Sequence, residues 1–176
     1  MTDAALAEAA DLRTEAGARR AHEANGDRSV EDARILIVDD DPTAAHLMTR
    51  LLERDGFWRV VSAGGGWRGL AMMLQHPPDV MILDVNMPDL DGVQVLREVQ
   101  RAERRSNAVT AVLAVSGNAA PATRHAMLDA GADDFLPRPF AGAEFALRVR
   151  RLAHESRQLR RTVDYFDFLE GGLTPE

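Results

Sequence analysis

Apolar runs alternate with amphipathic stretches of helix length along most of this chain. The apolar runs predict β-strands near residues 34–39, 58–62, 79–84, 109–115 and 133–137. Apolar positions spaced three and four residues apart predict helices near 42–55, 66–75, 92–104, 120–130 and from 141 onward. Five strands alternating with five helices are typical of a doubly wound α/β fold, in which right-handed crossovers place helices on both faces of a parallel sheet.

The last predicted helix carries apolar residues at a 3.5-residue repeat, which continues beyond the length needed to cover one domain. The repeat positions are Phe145, Val149, Leu152, Ser156, Leu159, Val163 and Phe166. The pattern ends at Gly171 and Gly172. Two interpretations stay open: the helix lies along its own domain, or it extends as a coiled-coil stalk that makes the protein a homodimer.

The 176 residues leave room for one well-packed domain of about 120 to 150 residues with flanking segments. Residues 1–32 are rich in Ala, Glu and Arg and have few large apolar side chains, so we expect a mobile or partly helical extension there. Residues 33–152 would then form the domain. Residues 153–176 would form the rest of the extended helix and a tail.

Charge and composition exclude several classes of function. A formal net charge of −7 and a pI near 5.2 argue against nucleic acid as a partner, because such binding needs a basic face. The absence of cysteine excludes disulfides, thiolate metal sites and cysteine nucleophiles. Because the chain has neither an apolar stretch of membrane-spanning length nor an apolar signal core, we expect a cytoplasmic protein with no membrane contact. All 21 basic residues are arginines.

Acidic residues directly follow two of the predicted buried strands. They are Asp39, Asp40 and Asp41 after the first strand and Asp84 after the third. Because the carboxyl ends of parallel strands form a common crevice, these carboxylates should meet there, and their mutual repulsion would recruit a cation. Oxygen ligands without His or Cys favour Mg²⁺, or Mn²⁺, and Mg²⁺ commonly shares its coordination with a phosphate. Alternatively, the first three acids only cap a helix that begins near Pro42.

Four short motifs lie at the ends of predicted strands. They are Val38-Asp39-Asp40, Leu83-Asp84 followed by Asn86-Met87-Pro88 and Asp91-Gly92, Ala114-Val115-Ser116-Gly117, and Arg138-Pro139-Phe140. In this order and spacing they resemble the receiver domain of bacterial two-component response regulators, over roughly residues 33–152. The resemblance implies a flavodoxin-like sheet with strand order 2-1-3-4-5. It also implies a signalling protein that catalyses only its own phosphotransfer and dephosphorylation.

The resemblance further implies a phosphorylation site. Asp84 would accept a phosphoryl group from a phosphohistidine on a histidine kinase or a histidine phosphotransfer protein. Asp40, Asp84 and the backbone carbonyl of Asn86 would hold Mg²⁺, and Asp39 would act on the ion through water. The switched protein would then signal to a downstream protein target.

Three more residues match the part of the family's site that responds to the phosphate. Ser116 would hydrogen-bond a phosphoryl oxygen, and Phe135 would move inward as that hydroxyl turns. From the residues alone, Ser116 is an ordinary polar strand end and Phe135 is core. Arg138 departs from the family pattern, which places Lys before Pro-Phe; Arg keeps the charge but is a larger, planar fork. The same pattern has a cis peptide bond between residues 138 and 139.

We expect a receiver without an output domain of its own, because fewer than 30 residues follow the region of resemblance. One alternative is a receiver-like module that binds partners without phosphorylation, for which Arg138 is the main reason. The other is a phosphatase resembling the haloacid dehalogenases, with Asp39 as nucleophile and Asp41 as general acid. That family requires a Lys in its site, and this chain has none.

Overall fold

A computed structural model describes residues 30–106 and 109–171, with the side chains of residues 106, 164 and 166–171 left undescribed. After a 3₁₀ turn at Val30–Asp32 come five strands: β1 Ile35–Val38, β2 Val60–Ala63, β3 Val80–Asp84, β4 Ala111–Ser116 and β5 Asp134–Pro137. The five helices are α1 Pro42–Arg54, α2 Gly66–Gln75, α3 Gly92–Ser106, α4 Pro121–Asp129 and α5 Gly142–Gly171. Most of the extension expected at residues 1–32 lies outside the described residues.

The five strands form one parallel sheet in the order β2-β1-β3-β4-β5. This confirms the doubly wound fold and the strand order. The order reverses between β1 and β3, and their carboxyl ends therefore flank the crevice where ligands bind in such sheets. Asp39 and Asp84 lie at these two ends.

Two hydrophobic cores cover the two faces of the sheet. Alternate residues of β1 point to opposite faces, so Leu36 packs with α2 and α3 while Ile35 packs with α1 and α5. Burial on both faces explains why β1, β3 and β4 are nearly continuous apolar runs. Gly92 lets α3 begin close to the end of β3, since a Cβ there would lie 3.0 Å from the Cα of Val85.

The long helix α5 belongs to the domain for about two thirds of its length. Phe145, Val149 and Leu152 are buried against the sheet, and the Ser156 hydroxyl donates to the Val109 carbonyl at 3.2 Å. The polar interruption of the 3.5-residue repeat is therefore a domain contact. Leu159 is 57% exposed, so the exposed part of the stripe begins there.

Arg160, one turn after Ser156, fixes α5 to the edge where the strands begin. Its guanidinium lies 3.0 Å from Asp79 and donates to the carbonyl oxygens of Val109 at 2.8 Å and Pro78 at 3.2 Å. The interpretation of a helix lying along its own domain thus describes α5 up to Arg160. The repeat position Phe166 lies outside the described side chains. None of the described helices combines the length and the apolar character that crossing a membrane requires.

Candidate functional site

The structure brings three of the predicted acids together at the carboxyl ends of β1 and β3. Carboxylate oxygens of Asp39, Asp40 and Asp84 all lie within 4.8 Å of one another. Asp39 and Asp84 are buried and Asp40 is exposed, so the cluster opens to solvent on one side. The donor set is oxygen only, which suits a hard divalent cation such as Mg²⁺.

Asp41 has a different role from its two neighbours. It is the N-cap of α1, and its side chain accepts a hydrogen bond from the Thr43 amide at 2.8 Å. The Asp39 carboxylate accepts from the Asp41 amide at 2.9 Å, which fixes its direction at the strand end. The helix-cap interpretation therefore applies to Asp41 alone, and the cluster consists of Asp39, Asp40 and Asp84.

Arg138 reaches into the acidic cluster from the end of β5. Its guanidinium forms an ion pair with Asp39 and lies 3.5 Å from Asp84. Its backbone amide donates to the Ser116 carbonyl at 2.7 Å, which continues the β4–β5 pairing up to the site. The Arg138–Pro139 peptide bond is cis, as the resemblance implied. The side chain is thus directed into the site, where it partly neutralises two buried carboxylates.

The environment of Asp84 disfavours its charged form. Desolvation by burial, together with repulsion from Asp39 and to a smaller degree Asp40, raises the pKa of Asp84 from 3.8 to about 6. Arg138 and a hydrogen bond from the Asn86 amide, at 3.2 Å, oppose this increase without cancelling it. A carboxylate in this position gains from any additional cation that enters the cluster.

Ser116 is linked to the loop that follows Asp84. Its buried hydroxyl accepts hydrogen bonds from the Asn86 side-chain amide at 3.3 Å and from the Asn118 backbone amide at 3.0 Å. The end of β4 is therefore joined to the neighbouring loop through a hydroxyl that can exchange partners. Phe135 is buried in the core on the α3 side of the sheet.

Asp89 organises the same loop, although it was not among the residues predicted for the site. Its carboxylate accepts from the backbone amides of Gly66 at 3.1 Å and Trp67 at 3.2 Å, at the beginning of α2. Burial raises the pKa of Asp89, but these amides and that of Leu90 outweigh it, and the pKa lies below its usual value. A sequence signal existed, because the glycine run before α2 supplies no capping side chain of its own.

Comparisons with known proteins match this fold and site. The family model for the response regulator receiver domain matches residues 35–150. TrcR of Mycobacterium tuberculosis, a transcriptional regulatory protein, is 34% identical over 145 residues, which are 82% of this chain and 53% of TrcR. The response regulator MprA of Mycobacterium leprae is 40% identical over 129 residues, which are 73% of this chain and 52% of MprA. The chain thus spans about half the length of these relatives.

Solved receiver structures have the same fold. The receiver domain of Francisella response regulator 1452 is 28% identical with a TM-score of 0.63, and the match covers 71% of this chain and 99% of that one. The signal receiver domain of the response regulator NarL from Mycobacterium tuberculosis is 31% identical with a TM-score of 0.62, covering 70% and 97%. From the strand order, the acidic cluster at its switch point and these matches, we conclude that the chain belongs to the response regulators of two-component systems and contains their receiver domain.

Proposed function

We propose that this receiver is switched by phosphorylation of Asp84 in a Mg²⁺-dependent reaction. The observation that carries the proposal is the position of Asp84: buried at the end of β3, within 4.8 Å of two other carboxylates, with a guanidinium 3.5 Å away. An isolated buried carboxylate would be a poor nucleophile because burial favours its protonated form. Beside a guanidinium and a bound metal ion it can stay ionised and meet an anionic donor.

The transfer step uses a carboxylate oxygen of Asp84 as the nucleophile. This oxygen attacks the phosphorus of a phosphohistidine on a histidine kinase or a histidine phosphotransfer protein. The O–P bond forms as the P–N bond breaks, and the electron pair of the broken bond leaves with the imidazole. Asp40, Asp84 and the Asn86 carbonyl would hold Mg²⁺, with Asp39 bound through water, and the ion would neutralise charge on the carboxylates and the incoming phosphoryl group.

Arg138 and Ser116 are the groups proposed to respond to the new phosphate. Arg138 would leave the Asp39 carboxylate and donate to phosphoryl oxygens, which match its planar fork. The Ser116 hydroxyl would exchange its Asn86 partner for a phosphoryl oxygen. Phe135, on the neighbouring strand, is proposed to follow this movement, so that a downstream protein meets a changed surface.

The first prediction tests the phosphoacceptor. Asp84→Asn should accept no phosphoryl group from acetyl phosphate and Mg²⁺, because an amide cannot form the acyl phosphate. Intact mass spectrometry measures the addition. Asp91→Asn is the matched control, since Asp91 lies in the same loop and is exposed, and its carboxylate accepts a hydrogen bond from the Gln94 amide, which an asparagine oxygen can also accept.

Asp40→Asn separates the metal site from the nucleophile. It should still be labelled at Asp84, but more slowly and only at higher Mg²⁺ concentrations, because one ligand charge is lost. Undiminished labelling of Asp84→Asn would contradict the proposed acceptor. A wild-type protein that stays unlabelled, with unchanged amide spectra in Mg²⁺ and fluoroberyllate, would favour the phosphorylation-independent interaction module.

We also propose that the protein is a homodimer through the last part of α5. Leu159, Val163 and Phe166 continue the 3.5-residue repeat at and after the last turn that contacts the domain, and the Leu159 side chain is 57% exposed. Two parallel helices would cover these side chains and place both Asp84 sites at the same end of the dimer. The proposed signalling therefore depends on protein–protein contacts: between the two copies of the chain, with the kinase and with the downstream target.

A further inference from the structure

An open apolar groove lies between α2 and α3, on the face of the sheet opposite to α1 and α5. Its volume is about 930 Å³, and the buried side chains of Leu70 and Leu90 form part of its floor. Trp67, Ala71 and Leu74 line it from α2 at spacings of four and three residues, so they form one stripe of that helix. Trp67 and Leu74 are 63% and 65% exposed. Two large apolar side chains that are open to solvent beside a cavity indicate a contact surface.

The α3 side of the groove carries a row of positive charge. The arginine row consists of Arg97, Arg101 and Arg105, which are exposed and follow one another at four-residue spacing along about 12 Å of α3. Arg101 forms an ion pair with Glu98 at the surface, which is a weak contact that a partner can replace. Among the side chains that the structure describes, none forms an ion pair with Arg97 or Arg105.

The second acid of the lining does not cancel this charge. Glu103 is partly buried and accepts a hydrogen bond from the Thr110 amide at 2.7 Å, which turns its carboxylate toward the domain. The arginines Arg148 and Arg150 of α5 are instead paired with carboxylates of their own domain. In a chain of net charge −7, the arginine row is therefore a place where positive charge remains available to a partner.

The walls of the groove determine which kind of polypeptide fits between them. Its described lining comes from two helices and from loops, so it offers no strand edge with which an extended peptide could pair. An occupant must therefore satisfy its own backbone hydrogen bonds, as a helix does. The groove follows α3 from Gln94 to Arg105 over about 17 Å, which is about three helical turns. A helix that is apolar toward α2 and acidic toward α3 matches both walls.

We propose that the α2–α3 groove binds an acidic amphipathic helix of a partner protein. The carboxylates of this helix pair with the arginine row, and its apolar stripe covers Trp67 and Leu74. Because Leu90 in the floor of the groove belongs to the loop that follows Asp84, the bound helix contacts the loop next to the acidic cluster. The identification of this partner as the downstream target rests on the function proposed above, whereas the binding itself does not.

A peptide titration of the full chain tests the docking. The probe is a synthetic helical peptide of about four turns with Leu and Phe on one face and Glu on the other. The control peptide keeps the apolar face and has Lys in place of Glu. Because the chain has two tryptophans, Trp58→Phe leaves Trp67 as the only one, and its fluorescence then reports on the groove. The acidic peptide should move the Trp67 emission to shorter wavelength, shift the amide signals of α2 and α3, and bind at least about tenfold more tightly than the basic peptide.

Reversal of the arginine row tests the charge complementarity. Arg97→Glu, Arg101→Glu and Arg105→Glu together should weaken binding of the acidic peptide at least about tenfold and strengthen binding of the basic one. The matched control makes the same change in net charge through three exposed arginines on α1, α4 and α5. These are Arg54→Glu, Arg124→Glu and Arg161→Glu. The control should keep its affinity for the acidic peptide, because salt screens charges far from the groove.

The outcomes separate this proposal from its alternatives. Equal affinities for the two peptides, equal weakening in the two triple variants, or no binding at millimolar peptide would overturn it. A Trp67 emission that changes with protein concentration alone would overturn it too, and would assign the groove to a second copy. All titrations use unphosphorylated protein. A chain that accepts phosphate at Asp84 but binds no acidic peptide therefore contradicts only the docking, and the reverse result contradicts only the proposed phosphorylation.

Discussion

At the residue scale, Arg138 is the main departure from the family's site. A Lys ammonium is a compact charge, whereas the Arg138 fork contacts Asp39 and lies 3.5 Å from Asp84 at the same time. These are two of the three carboxylates in the acidic cluster. In the resting protein Arg138 therefore acts as an internal counter-ion at the place where Mg²⁺ is proposed to bind.

This contact predicts competition between Arg138 and the metal. Arg138→Ala should bind Mg²⁺ about ten- to a hundredfold more tightly, because the positive charge that pairs with Asp39 and lies 3.5 Å from Asp84 is removed. Titration followed by amide chemical shifts or calorimetry measures this without requiring phosphorylation. Arg151→Ala changes the net charge equally but pairs with Asp134, away from the site, and should leave the affinity unchanged. Equal Mg²⁺ affinities in the wild type, Arg138→Ala and Arg151→Ala would mean that Arg138 does not weaken metal binding.

The raised pKa of Asp84 gives a second prediction at this scale. A carboxyl group whose pKa is higher in the folded state, about 6 against 3.8, contributes stability below about pH 4 and loses it as the pH rises through 6. In EDTA, Asp84→Asn should therefore be more stable than the wild type at pH 7, by about 1–3 kcal/mol. Denaturant unfolding from pH 4 to pH 8 measures the difference. A difference that does not grow with pH would mean that ionisation of the buried Asp84 carboxyl group is not its cause.

At the scale of the element, α5 consists of a docked part and an exposed part, and Arg160 marks the boundary. The Asp79 carboxylate that it contacts is buried and also accepts from the Arg34 amide at 2.8 Å. Arg160 therefore joins the helix to the starts of β3 and β4, and Ser156 secures the turn before it. The stripe after Arg160 is the part left for contact with another molecule.

We expect Arg160→Ala to lower the free energy of unfolding by about 2–3 kcal/mol, because a mostly buried ion pair and two hydrogen bonds to carbonyls are lost. This loss of stability is smaller than for a buried charge left without any partner, because Asp79 keeps its contact with Arg34. Arg161→Ala is the adjacent control: its side chain is exposed, and the change should be within about 0.5 kcal/mol. Similar losses in both variants, measured by urea unfolding, would mean that helix propensity rather than the contact is responsible.

At the scale of the whole molecule, the docked part of α5 determines where a truncation can separate dimerisation from folding. A chain ending at Arg161 keeps every contact of Ser156 and Arg160 described above, and it should be a monomer that accepts phosphate at Asp84 normally. Light scattering of the full chain should give a dimer at tens of micromolar, with or without fluoroberyllate. A monomeric full chain would exclude the proposed helix interface and leave the exposed side chains of α5 to another partner.

The sequence by itself determined the elements and the location of the acidic cluster. Buried parallel strands need continuous apolar runs, and helices need apolar residues three and four apart, so both patterns are local. The same patterns predict that the carboxyl ends of the strands meet at one edge of the sheet. Asp39, Asp40 and Asp84 could therefore be predicted as neighbours. The strand order and the roles of Ser116 and Phe135 came from the family resemblance, because no local pattern encodes them.

Only the tertiary structure decided how the polar groups are paired. Arg138 and Asp39 are 99 residues apart in the chain, and Arg160 and Asp79 are 81 apart, so neither ion pair has a local signal. The structure likewise assigned Asp41 to the cap of α1 and Asp89 to the cap of α2. The 3.5-residue repeat could not reveal that Ser156 faces a carbonyl of its own domain. Periodicity reports which face of a helix is apolar, whereas the partner of that face depends on how the chain closes in three dimensions.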